Sequence, residues 1–161
     1  MQKLPDGDPR GLFLGEYVDC CQSVGSDAER CAVHGFKSEN GGFYVWRKKT
    51  HGKITDDDPI IAQTWAWIGK KGNIVFDSLE ALGHRGKGFY QPFLERFNFI
   101  AKQQNFLGVN VGKGGKTPDL DYSMAQEADN PLDGQGYDSG TQYVVSKLIN
   151  VEVSAVIERV V

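Results

Sequence analysis

The chain has 161 residues, 40% of them hydrophobic, which suits one domain with a buried core and excludes a disordered chain. Its 18 basic and 21 acidic residues leave a net charge of −3, which excludes the basic stripe of a nucleic-acid binder and the polybasic patch of a membrane-surface protein. No apolar run approaches the ~18 residues of a membrane span, and three cysteines, an odd number, argue against a secreted disulfide framework and for a reducing, cytoplasmic setting.

Residues 1–10 are polar, with Pro5, Gly7 and Pro9, unlike a signal peptide, and read as a flexible lead-in to a single domain over 11–161. Leu12 to Val18 reads as a short first strand, and Ser26 or Asp27 as the cap of a short helix through Ala32. After the turn at Asn40-Gly41-Gly42, the aromatic and β-branched run Phe43 to Trp46 predicts a strand. Lys48 to Asp58 is a charged loop, with Asp56, Asp57 and Asp58 read as solvated. Ile60 to Ile68 predicts a second strand, Gly69 to Gly72 a hairpin turn, and Asn73 to Glu80 a third strand, together an antiparallel meander. Trp65 and Trp67 share one strand face and read as core packing rather than a pocket wall.

Gly83 to Gly88 is a basic, glycine-rich turn. Phe89, Phe93, Phe97, Ile100 and Ala101 then recur at helical spacing and predict a helix over 89–104, with Pro92 in its first turn. Leu107 to Val111 predicts a buried strand and Tyr122 to Ala128 a short helix. Gln142 to Leu148 and Val151 to Val160 predict strands of a terminal hairpin turning at Ile149-Asn150. The order predicts an α+β fold: a mixed, mostly antiparallel central sheet flanked by helices.

The sharpest local feature is a strand, then His84-Arg85-Gly86-Lys87-Gly88, then a helix. A helix N-terminus leaves backbone N–H groups unpaired and favours anions, and glycine lets the backbone approach a phosphate closely. The stretch Ile74 to Ala101 resembles the pyrophosphate-binding segment of the GNAT acyltransferase superfamily. That pattern is Arg or Gln, two residues, Gly, one residue, then Gly or Ala, and Arg85 and Gly88 match its first two fixed positions. The element order is also similar.

The resemblance implies a GNAT-like fold and direct transfer of an acetyl group from acetyl-CoA to an amine on a small molecule or peptide. It implies that His84, Arg85, Gly86, Lys87, Gly88 and Phe89 cradle the coenzyme, with the backbone of Leu79, Ala81 and Leu82 along the pantetheine. It also implies a base, for which Asp77 and Glu80 are the nearest carboxylates, and an acid for the leaving thiolate, for which Tyr122 and Tyr137 are available. On the expected strand 73–80, Asp77 and Glu80 have opposite parity, so one face receives at most one of them. Tyr90 stands where the family usually has a small residue, which favours the alternative of a non-catalytic domain of the same fold.

A second constellation is Cys20, Cys21, Cys31 and His34, thiols and an imidazole suited to structural zinc, which would make the chain a zinc-stabilised interaction module. A catalytic Cys–His pair ranks below that reading. Gly112 to Thr117 resembles the end of a P-loop, but Asn110 stands at the required first glycine and Pro118 opposes the following helix.

Overall fold

The computed structural model describes residues 1–37, 41–69, 72–83, 95–97, 99–112 and 149–150. The expected helix at 122–128, the strands at 142–148 and 151–160, and the turn at 84–88 lie outside the described residues.

The N-terminal segment is not a frayed lead-in. Gln2–Lys3 forms β1, antiparallel to β2, Gly42–Arg47, and Leu4 is buried behind it. Next comes a 3-10 turn, Pro9–Phe13, capped by the Asp8 side chain on Arg10 N, and it runs into a short helix α1, Leu14–Val18. The apolar run expected as a first strand is therefore helical. Its Leu14 and Val18, four apart, both face the core. The next helix, α2, spans Glu29–Lys37, three residues beyond the expected Ser26 cap.

The meander forms largely as its β-branched and aromatic runs predict. β2 pairs antiparallel with β3, Ile60–Ile68, and β3 pairs antiparallel with β4, Ile74–Phe76. The expected third strand is interrupted after Phe76 and resumes as β5, Glu80–Ala81, again on β3. A helix α3 follows, described at 95–97 and 99–103, and then β6, Gly108–Val111.

β6 lies parallel to β4, with Ile74 opposite Val109. Asn73 Nδ2 donates to Asn110 Oδ1 at 2.6 Å and pins that register. Ile149 and Asn150, expected as a hairpin turn, are instead strand β7, antiparallel to β6. The sheet order is β1-β2-β3-β4-β6-β7, a mixed sheet in an α+β fold.

Alternation sorts the side chains of the sheet onto two faces. One face packs Tyr44, Ala62, Ala66, Ile74, Phe76, Leu79 and Val111 against Phe97, Ile100 and Ala101 of α3. Phe76 and Phe97 stack with ring centroids 4.1 Å apart. The other face packs Phe43, Val45, Trp65, Trp67 and Val75 against Leu14 and Val18 of α1 and Cys31 of α2. Both tryptophans are core residues, 0% and 2% exposed. Asp58 is not solvated: it is 3% exposed and accepts from Thr50 N, Thr50 Oγ1 and Thr55 N, which knits the 50–58 loop.

Candidate functional site

The break between β4 and β5 builds the most polar interior of the described residues. Ala66 faces Phe76 and Gln63 faces Glu80, so three steps along β3 are matched by four along the partner strand. One extra residue in an antiparallel pair is a β-bulge. The Asp77 N–H still reaches Trp65 O at 2.7 Å, and the Asp77 carbonyl is satisfied by Thr64 Oγ1 at 3.0 Å.

The bulge corrects the parity expectation. Phe76 and Leu79 point to the α3 face, whereas Asp77 and Glu80 both lie on the α1–α2 face. Glu80 shares its side of the sheet with its cross-strand partner Gln63. Asp77 reaches the same place through hydrogen bonds: its Oδ2 accepts from Gln22 Nε2 at 2.6 Å, and Gln22 Oε1 accepts from Gln63 Nε2 at 2.6 Å. Gln63 Nε2 also approaches Cys20 Sγ at 3.4 Å. Ser78 Oγ donates to Glu80 Oε1 at 2.9 Å.

Gln22, Gln63 and Asp77 are each 1% exposed, and Ser78 is 5% exposed. Cys20 and Glu80 are half-buried at the rim.

The loop that delivers Cys20 and Gln22 is held tightly under α1. Asp19 closes the helix in the left-handed conformation, at φ 58°. Cys20 N donates to Gly15 O at 2.9 Å, and Gly15 N donates to Gln22 O at 3.1 Å. The loop is close enough to α1 that a Cβ on residue 15 would overlap the Cys20 carbonyl and lie 2.7 Å from Ser23 Oγ. Ser26 Oγ ties the loop's far side by donating to Cys21 O and Ser23 O.

The three cysteines are free thiols: Cys20 half-buried, Cys21 exposed and Cys31 buried. Burial, with a contribution from the Glu80 carboxylate, pushes the Cys20 thiol up to about 11. Burial, with the Asp77 carboxylate next, pushes Cys31 up to about 12. Both are therefore protonated at neutral pH, the opposite of an activated nucleophile.

His34 is turned away from the thiols. Its Nδ1 accepts from Trp65 Nε1 at 3.1 Å, the two rings meet edge to face, and burial lowers its pKa. Among the described residues, no three His, Cys, Asp or Glu side chains converge to hold a metal ion. Cys20, Cys21, Cys31 and His34 are thus not gathered as a ligand set, and Cys31–His34 is not a nucleophile–base pair.

Of the residues singled out in the sequence, Asp77 and Glu80 are brought together, with the backbone of Leu79, Ala81 and Leu82 beside them. Leu82 N is bonded to Ile61 O at 3.1 Å. His84, Arg85, Gly86, Lys87, Gly88, Phe89, Tyr122 and Tyr137 lie outside the described residues. Sequence reasoning missed Gln22 and Gln63. The available signal was a glutamine in the middle of the otherwise apolar run Ile60 to Ile68, where a buried amide needs partners.

Among the described residues, no helix is long and apolar enough to cross a membrane. No protein-family model matches the chain, and no curated protein matches it.

Proposed function

We propose that the chain is an acyltransferase of the GNAT type that moves an acetyl group from acetyl-CoA to an amine by direct transfer. The observation that carries this reading is the switch in strand direction at β4, which runs antiparallel to β3 and parallel to β6. In open α/β sheets ligands bind in the crevice outside the carboxyl ends of strands, and the carboxyl ends of the parallel pair β4 and β6 lie side by side. The basic, glycine-rich residues 84–88 follow β5 in the sequence and precede α3. The Asp77–Glu80 bulge lies off the same end of β4.

In this reading His84, Arg85, Gly86, Lys87, Gly88 and Phe89 take the pyrophosphate, and the backbone at Leu79, Ala81 and Leu82 orients the thioester. Asp77 or Glu80 removes the proton from the acceptor amine. The nitrogen then attacks the thioester carbonyl, the carbon–sulfur bond breaks, and the sulfur leaves with the electron pair. Tyr122 or Tyr137 protonates that thiolate.

Calorimetry with acetyl-CoA tests the reading. Binding should be present in the native chain and lost in Arg85→Glu with folding unchanged. No heat at millimolar coenzyme would remove the proposal.

A further inference from the structure

Arg47 ends β2 beside an irregularity of its own. Trp46 lies opposite Ala62 and Arg47 opposite Ile60, so Ile61 has no match on β2. A bulge of this kind re-aims the side chain next to it. The Arg47 side chain is only 3% exposed, and its Nη1 donates to Asp58 O at 2.8 Å, which fixes the plane of the guanidinium. Its Nε and Nη2 are buried and, among the described residues, have no hydrogen-bond partner. Native structures leave few buried donors unpaired, and each such group calls for a reason.

Nε and Nη2 carry the two parallel N–H bonds along one edge of the guanidinium, the edge that grips both oxygens of a planar carboxylate. The cation beside Arg47 is already engaged: Arg10 Nε donates to Asp8 Oδ1 at 3.0 Å and Arg10 Nη2 to Asp8 Oδ2 at 2.5 Å. Those bonds, with a smaller contribution from the Arg47 charge, hold the Asp8 carboxyl low. Asp56 Oδ1 stands 3.7 Å from Arg47 Nη2, too far for a hydrogen bond. That oxygen instead accepts from Gln2 Nε2 at 2.9 Å, and the Asp56 side chain is 67% exposed.

We infer that the Nε–Nη2 edge of Arg47 is a binding site for the carboxylate of a small organic acid, which takes the place of Asp56 beside it. Three features set the class of ligand. The parallel donors match two oxygens in one plane. Arg10, Arg47, Asp8 and Asp56 cancel in charge, so one negative charge exchanged for that of Asp56 keeps the balance, whereas a doubly charged phosphate beside Asp8 does not. The edge lies beneath the surface, so only the slim end of a ligand enters as Asp56 turns out to solvent. That turn breaks the Gln2 bond, while Arg10 Nη1 keeps the Asp56 backbone carbonyl at 3.2 Å and the loop in place. The site goes beyond the acyl-transfer reading and needs nothing from it.

The test follows the Arg47 Nε–H signal of the full chain by nitrogen-15 NMR as sodium acetate is added, against sodium chloride at equal ionic strength. Acetate should move that signal saturably, with a midpoint in the millimolar range, and chloride should leave it in place. Asp56→Asn removes the competing charge and should tighten acetate about fivefold, the upper end for an ion pair with an exposed member. Arg47→Lys keeps the charge but loses the fork, so in the folded variant the backbone signals of residues 50–58 should show no saturable response to acetate.

Where Arg47→Lys does not fold, Asp56→Asn decides alone. An Arg47 Nε–H signal unmoved by acetate in Asp56→Asn overturns the inference, and so does equal acetate affinity in that variant and the native chain. Inorganic phosphate binding there in preference to acetate overturns the carboxylate assignment. A mere tie between the loop and β2 would show as lost stability in Asp56→Asn with no acetate response, which also overturns it. Coenzyme calorimetry is read separately, so failure of the acyltransferase reading leaves this result untouched.

Discussion

Gly15→Ala tests whether the loop beneath α1 sets the candidate site. A methyl group there would overlap the Cys20 carbonyl, lie 2.7 Å from Ser23 Oγ and lie 3.0 Å from the Gln22 carbonyl carbon. Two of those three atoms are backbone, so they cannot rotate away. Alanine gains roughly 0.5–1 kcal/mol over glycine inside a helix. Overpacking against a fixed neighbour costs about 1–3 kcal/mol. The overlap here is with backbone, so the upper half of that range applies, and a net loss of about 1–2 kcal/mol is expected. For a chain of this size each kcal/mol lowers Tm by about 2–4 °C.

The displaced loop carries Gln22 away from Asp77, so the Gln22 side-chain amide signal should also show loss of its hydrogen bond to Asp77. Urea unfolding reads the stability and NMR reads the hydrogen bond. A variant within 0.5 kcal/mol of native, with the Gln22–Asp77 hydrogen bond intact, would refute the close-packing argument, about half of the smallest loss expected.

Other consequences are open to direct measurement. Phe97→Ala should cost about 3–5 kcal/mol in urea unfolding, because it empties a buried ring position stacked on Phe76. Iodoacetamide at pH 8 should label exposed Cys21 well before Cys20 and Cys31, whose burial holds them protonated; equal rates at all three, read by mass spectrometry, would contradict that. Acid should weaken the fold in two steps. Burial lowers the His34 pKa, so the unfolded chain takes that proton first, and stability present above 6.5 falls as pH drops below it. Hydrogen bonds from Thr50 and Thr55 hold Asp58 near about 2, so its contribution is complete above 3.8 and is lost as pH falls through about 2. His34→Asn should remove the first step and Asp58→Asn the second, as read from urea midpoints across pH 7 to 2.

Much of the sheet was legible because β2 and β3 are long runs of aromatic and β-branched residues, a local signal that tertiary context reinforces. Leu12 to Val18 carries a similar apolar run, yet folds as a 3-10 turn and helix because its partner is the loop at 20–23, a contact with no trace in the local pattern. Asp77 and Glu80 were identifiable as candidate bases, being the nearest carboxylates before the glycine-rich turn. Their common face was not, because strict alternation cannot reveal one unmatched residue; the opposite register of β3 reveals it. Gln22 was unreadable for a different reason: it lies 55 residues from the carboxylate it donates to. The Cys–His cluster looked coherent in sequence spacing, but Trp65, on another element, takes the imidazole.

The single unmatched residue between Phe76 and Glu80 works as a phase shifter. Downstream of it, every side chain of the strand has exchanged faces relative to an uninterrupted count, while both ends keep their pairing with β3. Paired without the bulge at its present length, the strand would bring Glu80 opposite Ala62, turn it to the α3 face and drive a charge into the packing around Phe97, with no helix moved. A site assembled this way depends on how three residues of chain are paired with β3 more than on their identity.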